Sequence, residues 1–264
     1  MSTDVSDRQT EGPPAVKPAA GARFEELDGI RGLAALAVVL FHYTTRMREI
    51  YPDYVPPYSF PYSQFGVGLF VVSGFVILLS LRNARSADEF VLSRFWRLFP
   101  AYWAAIVFTW LVLLVLPLPG RQVEPWHVLV NFTMLQEVFG VPHVDGVYWF
   151  ICREVVFYGW MLALRQTFGL HRIVPACWAA LGVSMLWSVT GRLGLRGDEI
   201  SLFADRWLLA PYAHLFVAGI AAFQLRQPEN RRGWNRLFAA TLVCEAALPR
   251  GAGGMVGHLS LIHI

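Results

Sequence analysis

An all-α bundle of membrane-crossing helices is the fold class that this sequence predicts, and three observations predict it. Hydrophobic residues make up 55% of the 264 residues and charged residues only 16%, against roughly 25% charged in soluble domains. The mean hydropathy is +0.44. Apolar stretches of spanning length alternate with short loops that hold most of the arginines, which is the pattern of a polytopic chain. Six spans of about 20 residues use roughly 120 positions, most of the apolar content. This composition excludes a disordered chain, a basic nucleic-acid-binding domain and an ordinary soluble enzyme. A net charge of +3 is no polyanion-binding signal.

Residues 1–22 are rich in Pro, Ala, Gly, Asp and Glu and show no apolar periodicity. They read as a disordered cytoplasmic tail, without the apolar core of a secretion signal. A transmembrane domain is expected over 23–250. Its spans are expected near 30–46, 65–81, 100–117, 146–164, 173–190 and 208–225, with a weaker seventh at 234–248. Asp28 is placed to cap the first helix. Pro100 is expected in the first turn of the third span, which Pro117 and Pro119 then end. Residues 126–139 are short for a span and carry His127, Asn131 and Glu137, so an interfacial or re-entrant helix is expected there. Residues 251–264 continue a span poorly, and a chain truncated or frameshifted at its C-terminus is expected. Cys152, Cys177 and Cys244 form no close pair. Neither a disulfide framework nor a metal site is indicated, and they read as small core hydrophobes.

Arginine placement orients the bundle. The loops after the second, fourth and sixth spans carry Arg82, Arg85, Arg94, Arg97, Arg165, Arg172, Arg226, Arg231, Arg232 and Arg236. The opposite side carries Arg46, Arg48, Arg121, Arg192, Arg196 and Arg206. The excess favours a cytoplasmic N-terminus in a multi-pass protein of the cytoplasmic membrane.

Ionisable groups inside spans are functional candidates by default. Arg31 and His42 stand 11 residues apart in LDGIRGLAALAVVLFHYTTR. That is about 20° past three helical turns, so both lie on one face, about 16 Å apart along the axis. The plain alternative is an arginine snorkelling to lipid phosphate and a histidine hydrogen-bonded between helices. Arg94 and Arg97 in SRFWRLFPAYW share a face, and their guanidinium forks suit phosphate or pyrophosphate. A lipid anchor flanked by Trp96 and Trp103 is the alternative. Glu154 in VYWFICREVVFYGW lies about 12 Å into its span if that span starts near Gly146. His42 falls at comparable depth from the other end of a roughly 30 Å core. The two are therefore placed to meet, the carboxylate orienting the imidazole. A structural Arg153–Glu154 charge pair is the alternative. Gly66, Gly68, Gly74 and Ser73 in FGVGLFVVSGFVILL permit close helix approach or a small polar wall beside a channel.

These stretches resemble the acyltransferase family 3 membrane proteins, bacterial O-acyltransferases that modify cell-surface carbohydrates. LDGIRGLAALAVVLFH is similar to the family's opening, in which a basic residue is followed after ten positions by histidine, here Arg31 and His42. FGVGLFVVSGFVI resembles its second-helix motif, here Ser73, Gly74 and Phe75. SRFWRLFPAYW resembles its paired arginines and proline, here Arg94, Arg97 and Pro100. VYWFICREVVFY is similar to its Trp-to-Glu motif, here Trp149, Glu154, Phe157 and Tyr158. Phe150 stands where the family has a small hydroxyl residue, and Arg153 where it has an apolar one. The family also has more helices than this chain supplies.

The resemblance implies transfer of an acyl group, acetyl first among the expectations, from cytoplasmic acyl-CoA to an acceptor hydroxyl across the membrane. Acyl-CoA is then the donor substrate, with no metal. The partners are a carbohydrate or lipid-linked acceptor and membrane lipid, with no nucleic acid. His42, Arg31 and Glu154 are the implied catalytic residues, with Arg94 and Arg97 on the phosphates of coenzyme A. The competing class is a transporter or flippase relaying protons through Arg31, His42 and Glu154. It lacks evident inverted repeats. A purely structural membrane subunit leaves the aligned Arg31–His42 pair unexplained.

Overall fold

The computed structural model describes residues 25–51, 53–62, 64–116, 123–227 and 231–247. The expected tail at 1–22 and the expected aberrant end at 251–264 lie outside the described residues. Helices are the regular structure throughout the described residues. The first, α1 (Glu25–Phe41), runs into a π-helical turn at His42–Arg46 and a short α2 (Met47–Ile50). Asp28 lies inside α1 and is not its N-cap. Then come α3 (Gln64–Asn83), α4 (Ala87–Val115), α5 (Pro125–Asn131), α6 (Trp149–Thr167) and α7 (Ile173–Arg192). The last three are α8 (Asp198–Arg206), α9 (Ala213–Leu225) and α10 (Arg231–Ala247). Among the described residues five segments are long and apolar enough to cross a membrane: Glu26–Arg46, Gly66–Asn83, Ala87–Val115, Gly146–Thr167 and Leu170–Arg192.

The helix boundaries differ from the expected spans in three places. Ser86 caps α4, its Oγ accepting from Glu89 N at 3.1 Å, so the helix starts well before Pro100. Pro100 therefore sits inside a 29-residue helix and not in its first turn. Leu116, before Pro117, leaves the helical region (φ −121, ψ 76), as a residue preceding proline does. The expected sixth span loses its first turn. Leu209 takes a left-handed φ of 52°, and Pro211 removes an N–H and disfavours helix at Ala210. That leaves α9 with 13 residues. The weak seventh span forms α10, whose 17 residues include Arg231, Arg232, Arg236 and Glu245.

An interfacial or re-entrant helix is expected over 126–139, and the segment is only in part helical. Only the seven residues of α5 are helical, about 10 Å of rise, and the chain then turns back. Asn131, fully buried, holds the return: its Nδ2 donates to Pro142 O (2.9 Å) and its Oδ1 accepts from Val144 N (3.1 Å). The three cysteines are free and buried.

At the centre lies α3. It runs antiparallel to α1, where Val38 meets Gly66, and parallel to α6. Arg165 near the end of α6 donates to the carbonyls of Leu81 (2.7 Å) and Ala84 (2.8 Å) at the end of α3. Against α9 the backbones nearly touch. A methyl group at Gly74 would overlap the Phe216 carbonyl, and one at Gly219 would overlap the Val71 carbonyl. Beyond α9, α7 and α10 form an outer layer. Ser184 donates to Ala210 O (2.7 Å), and buried His214 pairs through Nε2 with Glu245 (2.8 Å).

At the end where α3 and α6 begin, Arg153 binds three segments together. It is 3% exposed. Its Nη2 donates to Glu137 Oε1 (2.8 Å) and Asp205 Oδ2 (3.0 Å), and its Nη1 to Asp205 Oδ1 (3.0 Å). The guanidinium also lies over the rings of Trp149 (5.3 Å) and Tyr212 (5.0 Å). The 126–139 segment and α8 are thereby fixed to α6. The alternative Arg153–Glu154 pair does not form, because neighbouring helical residues point about 100° apart.

This packing can be tested at two points. Gly74→Ala or Gly219→Ala should lower the thermal midpoint of the detergent-solubilised protein, since backbone must move to admit the methyl. Gly68→Ala, which meets nothing within 4 Å, should leave it unchanged. Arg153→Met should cost about 3–5 kcal/mol at neutral pH by leaving two buried carboxylates unpaired. Burial pushes the Glu137 carboxyl above the ordinary carboxylate range, with Arg153 opposing. A raised carboxyl binds its proton more tightly folded than unfolded, so falling pH favours the folded state. The variant should regain stability as pH drops from 7 toward the ordinary range near about 4.3. Chemical denaturation across that interval measures it.

Candidate active site

Three consecutive residues of α3 divide between two neighbouring helices. Ser73 Oγ donates to Glu154 Oε1 of α6 at 2.6 Å. Gly74 admits the α9 backbone. Phe75 packs edge-on to Phe223 of α9, with ring centroids 5.2 Å apart. Rotation of about 100° per residue distributes them this way. Glu154 also accepts from Tyr158 Oη one turn along its own helix. Ser73, Glu154 and Tyr158 are all buried.

Two turns along α3 toward the Arg165 end, at Ser80, Arg94 of α4 enters the same interior. Its Nη2 donates to Ser80 Oγ at 2.5 Å, and the guanidinium lies 5.9 Å from the Phe90 ring centroid. Arg94 Nε is buried and makes no hydrogen bond among the described residues. Arg31, Arg97 and Glu154 lie within electrostatic reach of Arg94, as does the neutral Tyr158 phenol, and Arg31 reaches Tyr158 as well. Arg31, Arg94, Arg97, Glu154 and Tyr158 thus form one electrostatic cluster between α1, α4 and α6. Arg97 is exposed and Arg31 half-buried.

The antiparallel register of α1 on α3, with Val38 at Gly66, sets Arg31 level with Ser73. His42 continues α1 into the π turn, half-buried, its ring edge-on to Phe41 with centroids 5.4 Å apart. It lies about 16 Å farther along the axis. Glu154 is therefore at the depth of Arg31 and not at that of His42. The expected Glu154–His42 contact is corrected: Ser73 and Tyr158 hold the carboxylate instead. Counting depth inward from opposite ends of a nominal core misplaced it, because Val38 sits at Gly66 and His42 therefore lies beyond the first turn of α3.

Ser80 escaped notice in the sequence, although its spacing of seven from Ser73 places both hydroxyls on one face of α3. Glu137 drew notice only as a polar residue of the short segment, and Asp205 drew none as a site residue. Their convergence on Arg153 joins residues 52 apart, which no local pattern signals. Among the described residues no group of three His, Cys, Asp or Glu side chains is arranged to hold a metal ion.

A family model described as an acyltransferase domain, Acyl_transf_3, matches residues 24–248. Comparison with curated proteins and with solved structures gave no match. The matched span takes in α1 with Arg31 and His42, the Ser73–Glu154 contact and both arginines of α4. The chain belongs to the acyltransferase family 3 of membrane proteins.

Proposed function

We propose that this protein is a membrane O-acyltransferase that moves an acyl group, acetyl in the simplest case, from cytoplasmic acyl-CoA to a hydroxyl of a cell-surface carbohydrate or related acceptor. The observation that carries the reading is a column of polar groups through an apolar bundle. It runs from Arg97, Arg94 and Ser80 near the Arg165 end, through Arg31, Ser73, Glu154 and Tyr158, to His42 on the Arg31 face. With the N-terminus in the cytoplasm, as the arginine excess favours, the arginine cluster faces the donor and His42 the acceptor.

Each residue then has a role that its surroundings support. Arg94 and Arg97 bind the anionic end of the donor, and the unpartnered Arg94 Nε is a donor suited to a phosphate oxygen. Ser80 aims the Arg94 fork. Glu154, held by two hydroxyls, keeps the arginine cluster from carrying uncompensated positive charge in the bundle. Arg31 polarises the thioester carbonyl or grips a phosphate. His42 takes the proton of the acceptor hydroxyl as its oxygen attacks the carbonyl carbon. The carbon–sulfur bond breaks, and the proton leaves with the coenzyme A thiol. The long thioester arm of the donor bridges the roughly 16 Å between the two levels.

His42→Gln, which keeps a hydrogen bond and cannot take a proton, should lower turnover by roughly 10²–10⁴-fold while acyl-CoA still binds. Near-normal turnover would return His42 to a packing role. Arg94→Ala should weaken the binding of acyl-CoA to purified, folded protein by about 1.5–3 kcal/mol. If Arg94 only anchors lipid, donor affinity stays fixed and membrane insertion falls. A single cysteine at position 85 should react with an impermeant reagent in inverted vesicles and not in intact cells.

A further inference from the structure

We propose that the loop of residues 51–62 is a sugar-binding platform on which Tyr51, Tyr54 and Tyr58 stack against the rings of a neutral oligosaccharide acceptor. The inference rests on the acyl-transfer reading and gives its acceptor side a site. The loop leaves α2 and returns onto the π turn that carries His42. Phe60 N donates to Thr44 Oγ1 at 3.1 Å, and Thr45 Oγ1 and Ser59 Oγ share a hydrogen bond of 3.0 Å. The platform is thus tied one turn from the imidazole, at the end of the bundle away from the arginine cluster.

Its surface chemistry fits a sugar. Tyr51, Tyr54 and Tyr58 are 48%, 41% and 55% exposed. A pyranose ring has an apolar C–H face and a rim of hydroxyls, and tyrosine offers both an aromatic face and a hydroxyl. Tyrosine does so with two side-chain torsions to order, the economy that makes it common in binding loops. Four prolines between 51 and 62 restrict the backbone further. Between Tyr51 and Tyr62 the one ionisable side chain that is charged at neutral pH is Asp53. The loop itself carries no cation and one anion, Asp53, while Arg46 and Arg48 stand before it on the π turn and α2, and the tyrosine rings are assigned a neutral sugar. Membrane-interface belts also use tyrosine. A belt does not require rings on a proline-stiffened loop pinned beside a histidine.

The test uses the full chain in lipid nanodiscs, with glucan, mannan and galactan hexasaccharides and a uronate-bearing hexasaccharide as probes. At least one neutral probe should bind and the uronate probe should bind more weakly. Tyr51→Ala, Tyr54→Ala and Tyr58→Ala should each weaken that affinity about three- to tenfold, and Tyr→Phe by less. Melting midpoint and acyl-CoA affinity should not move. Unchanged sugar affinity in folded alanine variants overturns the platform, as does failure of every neutral probe to bind wild type. If a variant fails to fold, Tyr→Leu at that position, which keeps apolar bulk without a stacking face, must show the same loss of affinity. If wild type binds a neutral probe through these tyrosines but never acylates it from acyl-CoA, the platform stands and the acyl-transfer reading falls.

Discussion

A charge inside an apolar bundle is stable only beside a partner, and this requirement determines which parts of the chain meet. On α6 the requirement is met for three charges, in different directions. Arg153 reaches Glu137 and Asp205. Glu154 accepts from Ser73, and Tyr158 donates to Glu154. Arg165 caps the end of α3. Adjacent residues of opposite charge thereby serve separate clusters, because the helix aims them apart. One cluster fixes the outer segments and the other borders the interior of the bundle.

The central position of α3 follows from residue size as much as from charge. Removing a side chain at Gly74 and at Gly219 lets α3 and α9 approach to backbone contact. The short α9, 13 residues long, is held by α3 on one flank and by α7 and α10 on the other. The apolar core runs through Phe70, Phe157 and Phe216, whose rings stack or tilt against one another. Ser73 and Ser80 lie on the same helix as this core, turned toward α6 and α4.

Much of this was legible in the sequence. Apolar runs and arginine spacing located the spans, and helical periodicity alone put Arg31 and His42 on one face. The polar content of 126–139 marked a segment in which only a short helix forms. The hidden part was long-range. Depth along a span cannot be read without the axial register between helices, here Val38 against Gly66, so Glu154 was matched to the wrong neighbour. Pro100 looked like a helix start because Ser86, the actual cap, lies in a polar stretch read as loop. Leu209 and Pro211 end a span by local backbone geometry that an apolar count does not register.

The π turn at His42–Arg46 separates two kinds of variation. Residues up to Phe41 keep α-helical phase, so the register between Arg31 and His42 is insulated from the chain beyond the turn. A π turn accommodates one extra residue, and gain or loss of one residue there re-aims the emerging chain by about 100°. The loop beyond Thr45 can therefore take another heading while the spacing of Arg31 and His42 stays fixed. A change of length or heading in that loop leaves the α-helical path from Arg31 to Phe41 untouched.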